Sequence, residues 1–173
     1  MILAMVGFAS AQDYTVDGNS IKITKVIENT NLSIEQESEV LLTYLGKVYN
    51  DINTTLKTNT SHSIVVKGIY PEVVKFTMGL WKADLGHQIV ISLKDGRVRV
   101  EVSVTQVRLY SSQASVDYVI TDFYPVTQNM SPWNYMSSKS KSEEMVNKAV
   151  LLMNATILEL ENALKNHVED DNW

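Results

Sequence analysis

Cysteine is absent from the 173 residues, so the chain can form no disulfide, no thiolate metal site and no cysteine nucleophile. Positive charge is scarce as well. Fifteen Lys and Arg stand against 20 Asp and Glu, for a formal net charge of -5, and the arginines are only Arg97, Arg99 and Arg108. Nucleic-acid binding draws on clustered cations that displace counterions from phosphates, so it is not expected here. No apolar run approaches the roughly 18 residues that a membrane-spanning helix needs. Seven Gly and 3 Pro are too few for a collagen-like or linker-like chain. What remains, 45% hydrophobic and 20% charged residues, is the composition of one globular domain with a substantial core.

Residues 1–11 read as an address rather than as structure. After Met1 comes Ile-Leu-Ala-Met-Val-Gly-Phe-Ala-Ser-Ala, an uncharged apolar run ending in the small residues Ala9 and Ala11 at the spacing a signal peptidase requires. The basic residues that open such a segment are missing, so the expected signal begins upstream of Met1. Cleavage leaves Gln12 first and residues 12–173 as a single domain, expected to be exported to the periplasm or secreted, and soluble. No Cys follows the run to carry a lipid anchor. A cysteine-free exported chain fits a bacterial envelope protein better than a small animal secreted domain, which usually depends on disulfides. The Asn-x-Ser/Thr triplets at Asn53, Asn59, Asn129 and Asn154 carry no weight in so Asn- and Thr-rich a chain.

Alternation of Ile21 and Ile23 with Lys22 and Thr24 predicts a strand over 20–28. Ser33, three residues before Gln36, then forms a capping box, and Leu41, Leu45, Val48 and Ile52 trace one helical stripe. Glu35, Glu37 and Glu39 read as a solvated first turn. The polar run 53–61 ends the helix. Four strands follow, over 63–69, 73–82, 87–94 and 97–109, with Tyr70-Pro71-Glu72 as a connecting turn. Asp95-Gly96 predicts a two-residue type I′ hairpin, which pairs Leu93 with Val98, Ile91 with Val100 and Ile89 with Val102 on a dry face. The other face pairs Ser92 with Arg99 and Val90 with Glu101, and is wet. Near Thr105 and Gln106 the apolar parity changes to Val107 and Leu109, which predicts a bulge. Val74, Phe76, Met78 and Leu80 extend the dry face, and Trp81 falls on the opposite one. Ser140 and Glu143 form a second capping box, ahead of a helix whose stripe runs Met145, Ala149, Leu152, Met153, Thr156, Leu160, Ala163, Leu164 and His167.

The order β-α-β-β-β-β-α predicts an α+β domain: a curved antiparallel sheet with both helices buried on its dry face. That order, the 94–99 hairpin Lys-Asp-Gly-Arg-Val-Arg and the Asp122-Phe123-Tyr124-Pro125 segment ahead of the last helix resemble an exported bacterial family of unknown function. The resemblance covers roughly 20–165 and implies a TATA-box-binding-protein-like fold. Having no assigned activity, such a family supplies no catalytic residues to carry over. DNA binding does not follow from the fold, because function resides in a site.

The sequence holds no organised catalytic motif. His62, His87 and His167 are assigned to a loop, a strand start and a helix end, without metal-ligand spacing. No cofactor or metal is implied, and no catalytic residue is assigned. Two features are candidate sites. Tyr118, Phe123, Tyr124, Trp133 and Tyr135 lie in an aromatic segment that either covers a ligand cavity or plugs the end of the core. Trp81, Val90, Arg99 and Glu101 are assigned to a partner surface on the wet face. The expected function is a non-enzymatic exported module binding a small ligand or a protein partner. The alternative is a self-associating interaction module, a homodimer that extends its sheet edge to edge.

Overall fold

A computed structural model describes residues 14–49, 55–76, 79–123, 126 and 139–166. The segment read as a signal, together with Ile52, Met78 and His167, lies outside them. Among the described residues, β1 (Thr15–Asp17), β2 (Ser20–Glu28), α1 (Ile34–Val48), β3 (Leu56–Thr60), β4 (Ser63–Phe76), β5 (Trp81–Lys94), β6 (Arg97–Tyr110), β7 (Ser115–Val119) and α2 (Lys139–Asn166) follow in order. The strands make one seven-stranded antiparallel sheet, ordered β1-β2-β6-β5-β4-β3, with β7 also paired to β6. It is an α+β domain with both helices on one face of a curved open sheet. No described helix is long and apolar enough to cross a membrane.

The central hairpin has the predicted register, Leu93↔Val98, Ile91↔Val100 and Ile89↔Val102, and all six residues are buried. Its turn differs from expectation. Gly96 takes a positive φ of 69°, but Asp95 does not, so the turn is not type I′. Asp95 instead aims its carboxylate at the start of α1, where Oδ1 accepts from the Ile34 N–H at 3.3 Å. Gly96 exchanges backbone hydrogen bonds with Leu32 and Thr30, so the hairpin tip and the β2–α1 loop brace each other. Glu37, read as solvated, is fully buried at this junction. The Thr30 hydroxyl donates to it at 2.6 Å, and desolvation raises its pKa.

At Thr105 the ladder slips: Gly86 faces Gln106 and His87 faces Val104, leaving Thr105 unpaired and turning Val107 and Leu109 into the core. The same bulge divides the far edge of β6, whose first part pairs with β2 and whose last part pairs with β7. Around Pro71 the chain does not turn back. Residues 63–76 form one strand with a bulge between Tyr70 and Val74, where Pro71 offers no N–H and Glu72 adopts a φ of 48°. The Glu72 N–H finds the Asp84 carboxylate at 2.8 Å, and Lys82 and Lys75 pair with its side chain. The reversal therefore comes later, and β5 begins at Trp81. Trp81 pairs with Phe76 and shares the odd-numbered face of Ala83 and Leu85, so it packs on the core rather than on the wet face. Leu80, expected in the core, is 66% exposed.

Ser33 and Gln36 make the predicted capping box of α1, whose stripe Glu37, Val40, Leu41 and Leu45 is buried. Ser140 does not cap α2, because the helix already includes Lys139. Its buried stripe takes in Met145, Ala149, Met153, Leu160 and Leu164 as expected, and adds Val146, Val150 and Ile157. Lys25 bonds Glu161 at 2.5 Å and Lys148 donates to the Val73 carbonyl, tying α2 to both sides of the sheet.

Candidate functional site

The two helices do not seal the sheet along their whole length. The last turns of α1 present Tyr44, Leu45, Val48 and Tyr49, and α2 presents Leu152, Ala155, Thr156 and Glu159 at helical spacing. Between them, Ile69, Tyr70 and Pro71 of β4 and His87 and Ile89 of β5 complete a cleft of about 510 Å³. This explains why Val48, expected in the core stripe, is half exposed: it forms cleft wall.

His87 is the centre of the site. It lies in the middle of β5 on the core-facing parity, 5% exposed, not at a strand start. Its ring stacks on Tyr70 with centroids 3.9 Å apart, and Nε2 lies 2.6 Å from the Tyr49 hydroxyl. Nδ1 is buried and has no partner among the described residues, whichever tautomer is present. Burial lowers the His87 pKa to about 4, so the imidazole is neutral at neutral pH. Gly68, directly across the β4–β5 ladder, makes the arrangement possible. A Cβ there would lie 2.5 Å from a Tyr49 ring carbon and 2.8 Å from the His87 ring.

The remaining polar groups are held just as firmly. The Thr156 hydroxyl donates to the Leu152 carbonyl at 2.9 Å, so the Tyr70 hydroxyl, 2.7 Å away, donates to Thr156. The Tyr44 hydroxyl donates to Glu159 at 2.5 Å. Desolvation pushes the Tyr70 phenol up to about 12 and raises those of Tyr44 and Tyr49 further, so all three stay neutral. Glu159 is the one formal charge among the described lining residues. The Tyr49 hydroxyl and the His87 imidazole are the one hydroxyl–imidazole pair in the described lining, and no described group bonds Nδ1 to orient that imidazole as a base.

The residues singled out from sequence fall elsewhere. Tyr118 and Phe123 meet edge to face, with centroids 5.9 Å apart, and Phe123 is 1% exposed, so it serves as core. Tyr124, Trp133 and Tyr135 lie outside the described residues. Val90, Arg99 and Glu101 do share the open sheet face, Val90 opposite Glu101. Trp81 does not join them. Charge there is internally compensated, since Glu101 lies 3.2 Å from Lys22 and 3.4 Å from Arg99. The Tyr49–Tyr70–His87 cluster was missed from sequence. Its one readable signal was the odd-numbered alternation Ala83, Leu85, His87, Ile89, Ile91, which puts a histidine on the dry face.

An open, curved antiparallel sheet backed on one face by two helices defines a TATA-box-binding-protein-like α+β domain. A TBP-like protein from Parabacteroides distasonis ATCC 8503 shares the fold with a TM-score of 0.68 at 13% identity, over 88% of this chain and 97% of that one. A DUF4468 family protein from Bacteroides ovatus ATCC 8483 does so with a TM-score of 0.65 at 12% identity, over 90% and 91%. At such identity the likeness is one of fold. No family model and no curated protein matches the chain.

Proposed function

We propose that this protein is an exported, non-enzymatic binding module, periplasmic or secreted, whose ligand seat is the cleft between α1 and α2. The observation that carries the reading is the cleft itself. Its volume falls within the roughly 300–1,000 Å³ of small-ligand sites, its walls are largely apolar, and its lining includes a buried imidazole held by the Tyr49 hydroxyl. The reading differs from an aromatic lid in its location, because Phe123 is already committed to the core.

Rigid side chains favour binding here. Tyr44, Tyr49 and Tyr70 are each fixed by a hydrogen bond, so a ligand meets a preformed wall and little ordering is left to oppose association. The test is native mass spectrometry of the chain secreted from a bacterial envelope, compared with Tyr70→Ala. Excess mass that denaturation releases, present in the parent and lost in the variant, is expected. Identical bound mass in both proteins excludes the cleft as the seat.

A further inference from the structure

The charge pattern of the cleft narrows the class of ligand, an argument that rests on the cleft being a binding seat. Glu159 projects from α2 into the lining with a phenol, Tyr44, as its hydrogen-bond partner. Two residues further on, Glu161 bonds both Lys25 and Lys165, and Glu144 bonds both Lys141 and Lys148. No Lys or Arg pairs with Glu159 among the described residues, and none contributes to the described cleft lining. Three tyrosine rings share that lining with the carboxylate. Ring faces carry a negative quadrupole that attracts cations, and the attraction grows where water is displaced.

We propose that the cleft binds an organic cation, an alkyl- or arylammonium whose charged head lies against Glu159 and the tyrosine rings and whose apolar body covers Val48 and Leu152. The neutrality of the rest of the wall is consistent with this. His87 gains no positive charge until about pH 4, so nothing in the described wall repels an ammonium group at neutral pH. An anion would meet an uncompensated carboxylate. A purely apolar ligand would leave that carboxylate partly desolvated beside it.

The test is an NMR titration of the full chain with three probes of one shape: choline, its uncharged isostere 3,3-dimethylbutan-1-ol, and the anion 3,3-dimethylbutanoate. The expected result is amide shifts at Tyr44, Tyr70 and Thr156, with choline bound about tenfold tighter than the alcohol and the anion weakest. Glu159→Gln should bring choline to the level of the alcohol, whereas Glu35→Gln, distant from the cleft, should leave the ratio unchanged. The alcohol binding in the cleft as tightly as choline would overturn the cation assignment and leave the cleft as a seat for neutral ligands. No shift in the cleft with any probe at millimolar concentration would overturn both readings.

Discussion

The absence of one carbon atom at position 68 determines the geometry of the cleft. Because Gly68 has no Cβ, the Tyr49 phenol can reach across β4 to the His87 ring. Gly68→Ala should therefore force one ring to move and destabilise the fold by about 1–3 kcal/mol, as overpacking does. Urea unfolding checks this, and a double-mutant cycle with Tyr49→Leu should recover much of the loss, because the nearest obstacle is a Tyr49 atom. Additive losses would mean that the glycine matters for its backbone and not for this contact. His87 makes the second residue-level prediction. Its folded pKa, about 4, lies below the value of about 6.5 expected unfolded, so the unfolded chain takes up the proton first. Stability should fall as pH drops from about 6.5 to 4, by up to ~3 kcal/mol. Glu37, whose pKa is raised, acts in the opposite direction, stabilising at low pH and less so as pH rises through its folded value. Comparing the pH profiles of the parent and His87→Gln isolates the histidine. Parallel profiles between pH 6.5 and 4 would contradict the assignment.

At the scale of elements, the bulge in β6 reconciles two apolar parities within one strand. It lets one strand place Val98, Val100, Val102 and Val104 in the core and then Val107 and Leu109, on opposite parities. Deleting Thr105 joins Val104 directly to Gln106, which keeps the pairs Gly86↔Gln106 and His87↔Val104 and leaves Val107 and Leu109 on the core face of a regular ladder. Cooperative unfolding by circular dichroism is therefore expected to survive the deletion, and its loss would contradict the assignment of Thr105 as the extra residue. The bulge was legible in the sequence because the parity change is a property of the strand alone. So were the capping box at Ser33, the hairpin register and much of the α2 stripe, each written within a few residues; of the expected α1 stripe Leu41 and Leu45 are buried, whereas Val48 forms cleft wall and Ile52 lies outside the described residues. The type I′ turn and the break at Pro71 failed for one shared reason. Asp95 and Glu72 are engaged by distant groups, the start of α1 and the β5 side chains Asp84 and Lys82, and those contacts override local turn preference. Once the break moved past Phe76, the parity of Trp81 changed with it.

At the scale of the whole molecule, the fold class could be read from element order, but the site could not. Tyr44, Tyr49, Tyr70, His87, Thr156 and Glu159 come from four elements, and sequence separations as long as 115 residues join them. Only packing brings such residues together, so no local motif announces them. The aromatic-rich segment drew attention because its residues are neighbours in sequence, yet the described part of it is packed on the core. The open face of the sheet is the competing surface. It mixes exposed Val26 with ion pairs that already satisfy one another. The proposed ligand seat is the cleft, and no ligand is proposed for that face. The most direct test is a fragment screen on the uniformly labelled chain, read by backbone amide shifts. The account predicts that hits cluster on Tyr49, Tyr70, His87 and Thr156, while Val65, Val90 and Arg99 stay unmoved. Hits that map to the sheet face and spare the cleft would contradict it.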